Sequence, residues 1–220
     1  NYLFDENKLS HKNHIYIGGL KVLSDGSVSG RTAWIDPPYL GDEKEYGLST
    51  VTKEELLDIA ELAQKNNIQL VIHAMGEQAI DLIIDTFYDK PGWLKDEPSI
   101  RIEHMAMPTE KSIQRAVEMG TKIGFTTQPI FQYAEIETYL KNLGAERTKK
   151  TYPVQSILRA GLKLAFSSDA PATTWADPSN PFVSIKAATT RLAYDGTDCG
   201  QQQRVDITKI GRASCRERGS

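Results

Sequence analysis

The sequence predicts an α/β fold in which a parallel sheet is covered by helices. Three observations carry that expectation. Short apolar, β-branched segments alternate with stretches of helical periodicity, the pattern of βαβ units. The strand-like segments are near-continuous apolar runs, as parallel strands packed under helices require. Histidine, lysine and aspartate recur at or near the ends of those segments, and in a parallel barrel such ends converge on one face.

The first strand is expected over 14–23 (HIYIGGLKVL), stopping at Ser24, Asp25 and Gly26. A helix follows over 52–65: Thr52 with Glu55 three residues on is a capping box, and Leu56, Ile59, Ala60 and Ala63 share one face. Strands are expected over 68–73 (IQLVIH), 99–105 (SIRIEHM), 121–127 (TKIGFTT) and 162–168 (LKLAFSS). Helices are expected over 76–87, 109–119, 148–160 and 181–192, with a partly helical insert at 130–144. No internal repeat or low-complexity linker divides the chain, so 1–210 reads as one domain. The polar run 211–220 reads as a disordered tail or a cloning scar.

The chain has 220 residues, enough for one sizeable core and somewhat short of the about 250 of a complete (β/α)8 barrel. With 26 basic and 29 acidic residues the net charge is −3, which gives no electrostatic argument for nucleic acid or an anionic membrane. No apolar run approaches the roughly 20 residues of a membrane span. Residues 1–10 are polar and lack the apolar segment of a secretory leader, and two cysteines, Cys199 and Cys215, are no disulfide framework. A reducing, cytoplasmic setting is expected. The start at Asn1 and the polar end both read as cut.

His73 ends the second strand, His104 the third, Asp169 follows the fifth, and Lys21 lies near the end of the first. A lone histidine at a strand end is more readily a core residue bonded to a carbonyl than a metal ligand. Two of them with a carboxylate at a third strand end make the ligand set of a catalytic zinc-type site. Asp169 could bind the metal and take a proton from its water, or simply cap the turn after the strand. Lys21 is flanked by apolar residues and expected to be partly buried. A buried ammonium loses its charge or finds a partner, and carboxylation would turn it into an oxygen ligand. His11 and His14 read as solvated loop or strand-entry residues.

The run from Lys21 to Ala33, KVLSDGSVSGRTA, resembles the K-x-x-x-D-G-S-x-x-x-R-T-A signature of the YtcJ-like branch of the amidohydrolase superfamily, which includes N-substituted formamide deformylases. VIHAMG from Val71, RIEH from Arg101, TQP from Thr127 and SDAP from Ser168 are similar to later blocks of that branch, in the same order. The resemblance spans Ile15 to about Arg191. It implies an incomplete TIM-type (β/α)8 barrel holding strands four to eight. It implies that His73 and His104 ligate one metal of a binuclear site, that Lys21 bridges, and that Asp169 ligates the other metal and acts as general base. The implied substrate is a small molecule with an amide-type C–N bond, and the implied cofactor is a divalent metal, zinc. Asp25, Ser27 and Arg31 would shape the substrate end of the pocket, or else brace their loop through Asp–Arg pairing or capping. Glu103, facing away from His104 in an extended strand, reads as a structural pairing partner.

One departure stands out: no H-x-H pair, with which the branch begins its barrel, is present. The chain is therefore expected to be an impaired or inactive piece of a hydrolase, with open sheet edges that favour a homodimer. Two alternatives stay open. One is a non-catalytic barrel fragment acting as a structural or interaction module. The other is a Schiff-base enzyme using Lys21 as nucleophile. Trp34, Tyr39, Phe131, Tyr133 and Trp175 lie in the expected strand-to-helix loops and suggest an apolar or aromatic group near the pocket, or ordinary packing.

Overall fold

The computed structural model describes residues 6–10, 12–208 and 210. His11, Cys215 and the tail 211–220 lie outside the described residues. The elements run α1 (Glu6–Leu9), β1 (Gly19–Leu23), α2 (Lys53–Lys65), β2 (Gln69–Ala74), α3 (Glu77–Phe87), β3 (Ile100–His104), α4 (Glu110–Met119), β4 (Ile123–Thr127), α5 (Pro129–Ala134), α6 (Ile136–Leu143), α7 (Ala145–Lys150), α8 (Val154–Arg159), β5 (Leu164–Phe166) and α9 (Pro181–Thr190). The five strands form one parallel sheet in the order β1-β2-β3-β4-β5. Among the described residues β1 and β5 each pair on one side only.

The register explains why the sheet is stable and where its chemistry lies. Val22, Ile72, Ile102, Phe125 and Leu164 form one row across all five strands. Four of them, Ile72, Ile102, Phe125 and Leu164, are buried in the main hydrophobic cluster, with Leu56, Ala63, Ile80, Ile83 and Ile84 of α2 and α3. On the other face, row partners Lys21, Val71, Arg101 and Gly124 lie below Leu23, His73, Glu103, Thr126 and Ala165. That face is largely polar, so the strands are not apolar on both sides as their sequences suggest. The β2 sequence QLVIHA looks continuously apolar because Val71 separates Gln69 from His73 on the polar face.

The capping box forms as expected: Glu55 donates its N–H to Thr52 Oγ1 at 3.2 Å, and Thr52 donates its own to Glu55 Oε2 at 2.8 Å. Thr109 caps α4 in the same way, accepting from Ser112 at 3.0 Å. Two expected elements differ. Residues 14–17 are loop, and the first strand begins only at Gly19, where pairing with Gln69 begins. The helix expected over 148–160 is two helices, α7 and α8. Pro153 lacks an N–H and excludes the helical conformation at the residue before it. Tyr152 takes a φ of 51°, in the left-handed region, and its hydroxyl lies 2.8 Å from that of Tyr139.

Candidate active site

The site is built on the C-terminal ends of β2 and β3. Asp25, just past β1, ties the first two strand-to-helix loops together. Its carboxylate is buried and accepts three backbone N–H bonds: from Met75 at 3.0 Å, Gly76 at 2.8 Å and Trp34 at 3.0 Å. Burial pushes its carboxyl up to about 6 against the pull of those donors. Ser24 adds a bond from its N–H to the carbonyl of His73 at 3.0 Å. Gly76 has no room for a side chain, since a Cβ there would stand 2.0 Å from the carbonyl oxygen of Trp34. The chain at the end of β2 is thus held from several sides, and His73 with it.

The ring of His73 places Nε2 2.8 Å from the carbonyl oxygen of Gly26 and 3.4 Å from Asp25 Oδ1. A carbonyl only accepts, so Nε2 carries the proton and Nδ1 is left with its lone pair. Burial, and then the nearby Lys21 charge, hold the imidazole below its ordinary value, whereas the Gly26 carbonyl pulls the other way.

His104 closes β3 with a φ of 75°, and Met105 follows at 45°. Two successive left-handed residues are costly for side chains other than glycine and cluster at functional positions. They break the alternation that would carry His104 to the helix side with Ile102. Its ring lies edge-on to His73, centroids 4.5 Å apart at 69°, and stacks on Phe131 of α5 at 5.8 Å. Nδ1 stands 2.8 Å from Gln128 Oε1, and Gln128 donates through Nε2 to Ser167 Oγ at 2.8 Å. Burial and the neighbouring His73 hold His104 down to about 3.

The remaining expected residues are placed less tightly. Lys21 shares the polar face with His73 and Glu103 but is exposed rather than partly buried, because among the described residues β1 has a strand neighbour on one side only. Partial desolvation nevertheless lowers its ammonium, while Glu103 and Asp169 pull it up. Asp169 is exposed, with a φ of 52°. Its carboxyl is raised by partial desolvation and lowered by Lys21. Arg31 stacks over Tyr39 at 5.1 Å and reaches the carbonyl of Leu40 at 3.3 Å, so the Asp25–Arg31 pair is not formed. Ser27 Oγ accepts from Gly30 at 3.0 Å within its own turn. Glu103 pairs with Arg101 at 2.5 Å, as its position in the strand suggests. A cleft of about 670 Å³ lined by Gly19, Lys21, Gln69, Val71, Arg101 and Glu103 among others opens on the polar face toward the N-terminal ends of the strands; His73, His104 and Asp169 do not line it. Of the loop aromatics, Phe131 meets a histidine, Tyr39 is buried with its hydroxyl on the carbonyl of Ala33, and Trp175 is exposed.

The donor set fits a divalent metal in part. Two neighbouring imidazoles each commit one nitrogen to an acceptor and keep the other for a ligand, the arrangement metal-binding histidines use. Among the described residues, no three His, Cys, Asp or Glu side chains come together closely enough to enclose an ion. Neither Gln128 nor Ser167 is among the residues expected at the site, although Gln128 lies in the TQP block that carries part of the family resemblance. The position of Gln128 one residue beyond a strand end was the available clue.

The family model described as Amidohydrolase family matches residues 4–214, and the chain belongs to that family. It is 32% identical over 180 residues to Protein LONG AFTER FAR-RED 3 of Arabidopsis thaliana, covering 81% of this chain and 30% of that protein. It is 26% identical over 178 residues to the putative amidohydrolase YtcJ of Bacillus subtilis (strain 168), covering 81% and 32%. It is 27% identical over 158 residues to the N-substituted formamide deformylase of Arthrobacter pascens, covering 72% and 29%. The chain therefore spans about a third of the length of the curated relatives it matches. Among solved structures it is similar to an uncharacterized metal-dependent hydrolase from Pyrococcus horikoshii OT3, with a TM-score of 0.78 and 28% identity over 91% of this chain and 39% of the other. No helix among the described residues is long and apolar enough to cross a membrane.

Proposed function

We propose that the chain carries the His73/His104 half of the metal centre of a hydrolase that cleaves an amide-type C–N bond. The observation that carries this reading is the pair of rings at 4.5 Å, each with one nitrogen already committed. His73 would bind through Nδ1 and His104 through Nε2. Lys21 and Asp169, which interact electrostatically with each other and with His73, would complete the set. When bound, a divalent metal, zinc by the chemistry of imidazole and carboxylate donors, supplies Lewis-acid activation of water and of the substrate carbonyl. Asp169 is the base available to the attacking water and can return that proton to the leaving nitrogen. Asp25 holds the loops that carry His73 and leaves substrate contact to exposed groups such as Ser27. The name of the Arthrobacter relative makes N-substituted formamides the first substrates to try.

Zinc and manganese titrations followed by calorimetry test the reading. Saturable binding to the wild type that is lost in both His73→Ala and His104→Ala is expected. A wild type that takes up neither metal would overturn the reading for this chain.

A second reading, a structural or interaction module, is favoured by the open side of β1, where Leu23 is 57% exposed. Among the described residues no strand pairs with that side, which suits strand addition by a second copy. Sedimentation equilibrium would then show a dimer that Leu23→Lys dissociates. A monomer at every concentration would remove this reading.

A further inference from the structure

Gln128 stands between β4 and α5, is 1% exposed, and uses both ends of its amide. His73 needs no such help, because the Gly26 carbonyl leaves only one place for its proton. His104 is different: a carboxamide can accept through oxygen or donate through nitrogen, so whichever end faces the ring decides its tautomer. With Oε1 toward the ring, Nδ1 must donate and Nε2 is left unprotonated. The turned-over amide would leave Nδ1 bare and move the proton to Nε2, which no described residue pairs with. Ser167, at the end of the neighbouring strand, holds the Nε2 end of the amide.

We propose that Gln128, anchored by Ser167, is a positioning residue that locks His104 as the Nδ1–H tautomer and so presents Nε2, unprotonated, beside His73. The use of Nε2 for a metal rests on the functional reading above; the tautomer is a property of the metal-free chain and stands independently of it. The relay also joins the ends of β3, β4 and β5, so it places His104 relative to the segment that carries Asp169 two residues after Ser167.

Long-range 15N–1H correlation spectra of the metal-free 220-residue chain, labelled at histidine, read the tautomer directly. The wild type is expected to show His104 protonated at Nδ1. Gln128→Leu is expected to lose that preference, and Gln128→Glu, whose carboxylate also accepts, to keep it. Ser167→Ala, which frees the far end of the amide, is expected to leave the Nδ1–H form dominant, because a serine hydroxyl can donate or accept and holds the amide without choosing its direction. In zinc titrations Gln128→Leu is expected to bind about 10- to 100-fold more weakly and Gln128→Glu to recover. A wild-type His104 protonated at Nε2, or a Gln128→Leu spectrum unchanged from wild type, would overturn the proposal. The wild-type spectrum alone decides the matter if the leucine variant does not fold. An Nδ1–H wild type that binds no zinc would uphold the positioning role and count against the metal reading alone.

Discussion

His104 and Asp25 load the pH dependence of stability in opposite directions. His104 falls from 6.5 to about 3 on burial, so between those values the unfolded chain binds the proton and the folded chain does not. Its contribution is complete above pH 6.5 and is lost progressively as the pH falls toward 3. Asp25 rises from 3.8 to about 6, so its folded state holds a proton that the unfolded chain has released, and stability declines as the pH rises through that window. Replacing His104 by Asn removes the first effect and leaves the second. Because the two effects oppose each other, removing His104 should tilt the balance toward acid: the urea midpoint at pH 4 relative to that at pH 7 should be higher in His104→Asn than in the wild type, and an unchanged difference would contradict the assignment. Asp25→Asn turns one acceptor oxygen into a donor that faces backbone N–H groups. Relief of the buried charge offsets part of this, but unsatisfied buried donors cost about 1–3 kcal/mol each. A net loss on the order of 2 kcal/mol is expected from chemical denaturation.

The two long connections at the C-terminal end of the sheet, 24–52 and 128–153, are laced to each other. Asn142 donates to the carbonyl of Val28 at 2.8 Å, and its own carbonyl accepts from Leu40 at 2.8 Å. Arg147 of α7 reaches the carbonyl of Pro37 at 2.6 Å and Glu77 Oε1 at 2.8 Å. Glu77 is largely buried at the first turn of α3, with its carboxyl pushed up by desolvation and pulled down by Arg147, and its Oε2 has no partner. Removing the guanidinium therefore does more than delete contacts, because it leaves a carboxylate in a low-dielectric position without its counter-ion. Arg147→Met should lower stability by about 2–4 kcal/mol and raise hydrogen exchange across 34–48 and 145–150 ahead of the strands. Uniform exchange throughout the chain would show that the lacing is not a local unit.

The sheet divides the protein into a dry side and a polar side. The dry row through Ile72 and Ile102 lies at the centre of the main cluster, and both side chains are fully buried. Ile72→Ala, one residue before His73, should cost about 2–5 kcal/mol through lost burial and the cavity left behind. Thermal or urea unfolding would measure it. On the polar side charge and hydrogen-bonding capacity accumulate: Lys21, Gln69, Arg101 and Glu103 on three adjacent strands bound a cleft instead of a packed layer. The chain thus concentrates its stability on one face and its chemistry on the other and at the strand ends.

Local patterning alone determined the five strands, most helices, the capping box and the placing of His73 and His104 at the ends of β2 and β3 and of Asp169 after β5, because apolar period, caps and turn residues act within a few positions of each other. The ordered family blocks added the hydrolase reading. Only the tertiary structure decided the rest. Where the helix expected over 148–160 divides, Tyr152 takes a left-handed φ and its hydroxyl meets that of Tyr139. Lys21 is exposed because, among the described residues, its strand has a neighbour on one side only. Asp25 binds backbone groups of Met75 and Gly76, about fifty positions away. The left-handed turn at His104 brings its ring against His73, Gln128 meets it from just past β4, and Ser167, just past β5, holds Gln128. These contacts join residues far apart in the chain, and no local periodicity encodes which buried polar atom will satisfy which. The two histidines at strand ends were legible from the start; which nitrogen each keeps free depends on neighbours that only folding supplies.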